Sequence, residues 1–98
     1  IDFVQKYEKA YGPNSRNQFA GHAYDTIVVL EKAVPVALKR AKPGTKEFRA
    51  ALRDALEATK ELAGAHGIFN MSANDHLGLD QRARGMGKIE NGAWSIVK

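Results

Sequence analysis

"HGIFNMS" (66–72) is the stretch at which the chain changes period. Upstream of it, apolar residues recur at intervals of three and four, the spacing of a helix face. Within it, apolar and polar residues alternate among strand formers, and the spacing predicts a strand. A strand placed after nothing but helices predicts a mixed α/β chain of three helices, then a strand and a hairpin.

Downstream, "RGMGKIENGAWSIV" (84–97) holds Asn91-Gly92 between two strand-like runs. A type I′ turn needs positive φ at both central positions, and Asn-Gly supplies them. A two-residue turn there pairs Glu90 with Ala93, Ile89 with Trp94 and Gly87 with Ile96. Ile89, Trp94 and Ile96 then share one face, with a gap at Gly87 beside Ile96. Gly85 and Gly87 weaken the first strand, and each marks a bulge or a close backbone approach. Trp94 reads as cross-strand packing.

Upstream, Asp2 is the expected N-cap of a first helix with Phe3, Val4, Tyr7, Ala10 and Tyr11 on its apolar face. Gly12-Pro13 stops it. A second helix is expected from about Phe19 to Ala41, carrying Ala20, Ala23, Tyr24, Ile27, Val28, Leu30, Ala33, Val34, Ala37 and Leu38. Its middle, Ile27–Leu30, is apolar nearly all round and should be the most buried part. Pro35 removes one helical hydrogen bond, which predicts a kink or a break into two helices. Thr45 caps a third helix with Phe48, Ala51, Leu52, Ala55, Leu56 and Thr59 on one face, and Gly64 is its expected end. Residues 1–64 are thus expected to be the helical part and 65–98 the strand, turn and hairpin.

Ninety-eight residues allow one small domain with a thin core. Hydrophobic residues make up 44% and charged residues 27%, ordinary for a globular chain. There is no cysteine, which excludes disulfides, a thiolate zinc site and a cysteine nucleophile. The net charge of +4 is spread along helices, with no basic stripe carrying interleaved aromatics, so nucleic acid is not the expected partner. The longest apolar run, Thr26–Leu30, is far short of a membrane span. The chain opens on Ile1 and enters a helical pattern at once, as a piece of a longer chain would.

From "QFAGHAYDTIVVLEKAVPVALKRAKPG" (18–44) through "FRAALRDAL" (48–56), "HGIFNMSANDHLGLD" (66–80) and "IENGAW" (89–94), the order and spacing of segments resemble the C-terminal part of a family. That family is the periplasmic solute-binding proteins of ABC transporters, of the branched-chain amino acid (Leu/Ile/Val-binding) type. The resemblance covers nearly the whole chain. It implies a type I binding-protein lobe fragment from a two-lobe protein several times longer. Such a protein captures an amino acid or similar small carboxylate in its cleft and passes it to a membrane permease. It is not an enzyme and needs no cofactor or metal. The helices would lie on one lobe and the terminal strands near the last hinge crossing. Gly85 and Gly87 stand where that family carries branched apolar residues, which implies a less regular strand.

By the same resemblance, the start of the second helix lies near the cleft, and Phe19, His22 and Tyr24 are the candidate ligand-binding residues. The residues alone read otherwise: Phe19 and Tyr24 as core aromatics, His22 as a helix-surface residue. Asp75-His76 is the other candidate, an acid–imidazole pair. Adjacent residues do not readily converge on one target, and a metal needs three or four ligands. Ser72, Asn74, Asp75, Gly78 and Asp80 are turn formers, so this stretch is expected to be a turn near the hinge. A lobe fragment leaves apolar edges open, and self-association by exchange of the terminal strands is expected. The alternative reading is a stand-alone helical interaction domain with nucleic acid as its partner.

Overall fold

The helices are set by their ends. The structure, a computed structural model, describes residues 2–98. Helix α1 (Asp2–Tyr11) has Asp2 inside its first turn, bonded to Lys6 at 3.0 Å, rather than capping from outside. It stops at Gly12, whose φ of +103° takes the chain out of the helix. Asn17 begins α2 (Gln18–Leu38) by accepting the Ala20 N–H at 3.0 Å. Thr45 begins α3 (Lys46–Glu57) by accepting from Phe48 at 3.1 Å, as its position before an apolar face predicts.

Helix α2 continues through Pro35, so the expected break into two helices does not occur. Its buried residues are Gly21, Asp25, Val29, Ala33 and Ala37, one every fourth position along a single ridge. The expected burial of Ile27–Leu30 is wrong at its start. Val29 is buried, but Ile27 is 63% exposed. Helix α3 and the segment after it cover one side of α2, and a face wider than that cover stays open.

Helix α3 ends at Glu57, well before Gly64, because Ala58 caps it and the chain then turns through Glu61 at φ +45°. Strand β1 (Leu62–Ala63) follows, inside the stretch expected to be helical. It pairs antiparallel with β2 (Ile68–Phe69), Leu62 opposite Phe69 and Ala63 opposite Ile68. Beyond β2 the extended chain keeps partners on both sides. Asn70 donates to the Gly78 carbonyl and Met71 to that of Thr59, each at 2.9 Å. A 3₁₀ turn (Gln81–Ala83) leads out of this region.

Strands β3 (Gly87–Glu90) and β4 (Ala93–Ile96) form a separate two-stranded sheet. The register is the one Asn91-Gly92 predicts: Glu90 opposite Ala93, Ile89 opposite Trp94, Gly87 opposite Ile96. Asn91 and Gly92 have φ of +52° and +75°, as a type I′ turn requires. The Trp94 ring leans over Gly87 and fills the gap there. Gly85 has open space around it and lies outside the strand.

The chain is extended, 54 × 31 × 18 Å, with a radius of gyration of 16.9 Å where a compact domain of this length has about 13 Å. Its accessible surface is 7786 Å², roughly 2,300 Å² more than a compact protein of its mass. The core of Val29, Ala33, Ala37, Ala51 and Phe69 joins α2, α3 and β2. No helix among the described residues is long and apolar enough to cross a membrane.

Candidate functional site

Asp25 is a carboxylate on the otherwise apolar buried ridge of α2, only 3% exposed. Burying a charge is costly unless its oxygens are bonded. Both are: Oδ1 accepts from the Ala65 N–H and Oδ2 from the His66 N–H, at 3.0 Å for the latter. The turn between β1 and β2 is thereby fastened to the first half of α2. Two glycines let the parts close. A methyl group at Gly64 would lie 2.6 Å from Asp25 Oδ1 and 2.7 Å from the Phe69 ring. One at Gly21 would lie 2.5 Å from His66 Nε2.

The His66 ring lies across the start of α2. Its Nε2 is 3.0 Å from the Gln18 carbonyl, which only accepts, so Nε2 donates. Its other contact is the His22 ring, stacked at 4.0 Å between centroids and 19° between planes.

Next to the clasp runs an apolar groove with two shallow cavities, about 330 and 400 Å³. His22, Val29, Leu30 and Phe69 line the first, and Arg49, Leu52 and Arg53 the second. Leu56, Met71 and His76 line both. His76 Nε2 bonds Glu57 Oε1 at 3.0 Å, so the 70–79 loop is strapped to α3 across the groove. Asp75 takes no part in that strap. Its Oδ1 accepts from the backbone N–H groups of Leu77 and Gly78, each at 3.0 Å, and Gly78 has φ +76°. Asp75 is a turn lock and His76 a strap, and they address different partners. They do not form the acid–imidazole pair that adjacency suggests.

The three ligand-binding candidates are not brought together. His22 lines the smaller cavity and stacks on His66. Tyr24 points to α1 and stacks on Phe3 at 4.5 Å. Phe19 is 73% exposed at the start of α2 and lines neither cavity. The expectation that Phe19 is a core aromatic fails as well, because no element covers the start of α2 on that side. Among the described residues no three His, Cys, Asp or Glu side chains gather as a metal site.

A second polar centre lies beyond the groove. Arg82 reaches Asp80 at 2.7 Å and Glu61 at 2.9 Å, and Asn70 bonds both the backbone and the carboxylate of Glu61. Bonds from Arg82, then from Asn70, hold the Glu61 carboxyl below its ordinary range. Arg82 side-chain and backbone bonds do the same for Asp80, and the guanidinium is held more firmly protonated in return. This fork ties β1, β2 and the 3₁₀ turn together where the chain leaves for the hairpin. Sequence reasoning missed Asp25 and Arg82. The usable signal for Asp25 was an acid four residues from Gly21 and four from Val29 on one helix face.

No protein-family model matches the chain, and no curated protein does. Solved structures do match it. An extracellular ligand-binding receptor from Rhodopseudomonas palustris is 54% identical with a TM-score of 0.85, over 97% of this chain and 26% of that one. Another, from Rhodopseudomonas palustris HaA2, is 50% identical with a TM-score of 0.86, over 97% and 27%. A third, also from HaA2, is 41% identical with a TM-score of 0.77, over 96% and 26%. The chain therefore spans about a quarter of the length of the solved receptors it matches, and over that quarter it is similar to extracellular ligand-binding receptors in both fold and sequence.

Proposed function

We propose that this chain is the C-terminal part of a periplasmic solute-binding protein that captures an amino acid or similar small carboxylate, of the branched-chain type, and delivers it to an ABC permease. The observation that carries the reading is the 41–54% identity to extracellular ligand-binding receptors along nearly the whole chain. The separation of the hairpin from the helices supports a position near a hinge, with one region on each side of it.

In this reading the groups that fix the solute's α-amino and α-carboxylate lie mostly outside these residues. Of the three candidates, His22 has the best placement, beside a cavity and oriented by a stacked ring. Calorimetric titration with leucine, isoleucine, valine and aromatic amino acids tests the division of labour. Expected is weak or no binding to the 98-residue chain and saturable binding to a receptor-length protein carrying it. Tight saturable binding to the 98 residues alone would show that the solute contacts are here, and the proposal would fail.

A further inference from the structure

We propose that Asn91 is a site of spontaneous modification, at which the side-chain amide is lost through a cyclic imide at a rate set by opening of the hairpin. The inference does not rest on the transport reading. It starts from the two residues of the turn. Gly92 follows Asn91 and has no Cβ to shield its own backbone nitrogen. Both residues are exposed, and a Cβ added at Gly92 would meet nothing within 4 Å. Among the described residues, neither the Gly92 N–H nor the Asn91 side-chain amide makes a hydrogen bond. The nucleophile and the amide it attacks are therefore adjacent and unengaged.

The reaction needs only water and base. The Gly92 nitrogen bonds to Asn91 Cγ, and the Cγ–Nδ2 bond breaks. The proton that the Gly92 nitrogen loses passes through base to the departing nitrogen, which leaves as ammonia. The imide ring holds Cα, Cβ, Cγ and the carbonyl carbon of Asn91 together with the Gly92 nitrogen. Water then opens it at one of two bonds. Cleavage between the nitrogen and Cγ gives aspartate. Cleavage between the nitrogen and the carbonyl carbon gives isoaspartate, whose main chain runs through Cβ and Cγ. Either way one water is consumed and one ammonia released, with nothing oxidised or reduced.

The folded turn withholds the nucleophile. Asn91 at φ +52° and Gly92 at φ +75° make a type I′ turn, in which ψ of the first central residue is about +30°. At that ψ the Gly92 nitrogen is nearly anti to the Asn91 Cβ and cannot reach Cγ. Ring closure puts the two on the same side, and that rotation breaks the pair of Glu90 with Ala93. The reactive state is thus the open hairpin, and a ladder of two strands opens readily. The other asparagines are less disposed to react. Asn14, Asn17, Asn70 and Asn74 each precede a residue with a Cβ. Asn17 is held besides by the Ala20 N–H, and Asn70 by Glu61. The two products differ in consequence. Aspartate keeps the turn, since Asp-Gly supplies the same backbone. Isoaspartate lengthens the main chain by one carbon, so the two-residue turn and its register are lost.

The test holds the 98-residue chain in mildly alkaline buffer and follows it by mass mapping, with enzymatic methylation to detect isoaspartate. The tryptic peptide 89–98 should be the first to show the mass change of an amide to an acid, with aspartate and isoaspartate both present. Denaturant should speed the reaction about fivefold or more. Trp94→Ala removes the ring opposite Ile89 without touching the reacting atoms, and should speed it about threefold. Trp94→Phe, which keeps an aromatic partner for Ile89, should return it close to the parent rate. Earlier amide loss at any other asparagine overturns the proposal. So does a rate that denaturant or Trp94→Ala leaves unchanged, because opening would then not set it.

Discussion

The region from α2 to the 3₁₀ turn and the terminal hairpin are both well formed, but different forces hold them. In the first, side chains distant in sequence fasten elements together: Asp25 to the 65–66 turn, His76 to Glu57, Arg82 to Glu61. In the second, one turn and one ladder suffice, and the sheet stands apart from the helices. A two-stranded hairpin alone is marginal in water. The contrast shows that correct local structure and sufficient burial are separate requirements. The hairpin meets the first and leaves Ile89, Trp94 and Ile96 open.

The largest blow to the fastened region is Asp25→Ala. It strips two N–H groups of a charged acceptor and leaves a hole beside Phe69. A loss of about 3 kcal/mol is expected in urea unfolding followed by far-ultraviolet circular dichroism. Emission from Trp94 reports the hairpin separately. If the tryptophan signal moves together with the helical one, the two regions unfold as one unit and the contrast above is wrong.

Gly64→Ala is the next. The added methyl meets Asp25 Oδ1 and the Phe69 ring well inside contact distance, and overpacking of this kind costs about 2 kcal/mol. Gly85→Ala is its counterpart beside the hairpin, with nothing near the new methyl and no left-handed backbone. It should stay within about 0.5 kcal/mol of the parent. Equal losses from the two would remove the distinction between a clasped glycine and a free one.

Gly92→Ala acts on the hairpin only. The space around Gly92 is open, so the cost comes from φ +75° alone, about 1 kcal/mol. Amide exchange across β3 and β4 should quicken while the 62–71 amides keep their protection. Faster exchange in both places would break the comparison by showing that the hairpin supports the rest.

What the sequence disclosed follows the same division. The caps at Thr45 and Gly12 and the register around Asn91-Gly92 are local rules, and they read correctly. The end of α3 did not, because Gly64 is a packing glycine under Asp25 and not a helix stop. The burial of α2 did not either. Its apolar face is wider than its cover, so hydropathy marked Ile27 where the tertiary contacts cover Asp25. Asp75 and His76 were legible as turn chemistry, whereas the reach of His76 to Glu57 needed the fold. Of Phe19, His22 and Tyr24, spacing along one helix sets Tyr24 apart from His22, since residues two apart look to different sides, but which of them would face a cavity needed the fold.

The smallest expected effect concerns acid. Glu61 and Asp80 have carboxyls held below their ordinary range by bonds from Arg82. A group whose folded pKa is depressed binds protons more readily unfolded. Its contribution is fully present above the ordinary carboxylate values, about 4, and is lost as pH falls through the lower folded values. Both groups are open to solvent, so the contribution is small and salt weakens it. Carbon NMR of the two carboxyls should therefore show titration below the ordinary range, and Arg82→Gln should bring both back towards it. The 80–83 amides should lose protection in that same acid window, with β3 and β4 unaffected. Ordinary titration of both carboxyls in the parent chain would mean that the fork is not held in solution, and that this side of the comparison rests on Asp25 and His76 alone.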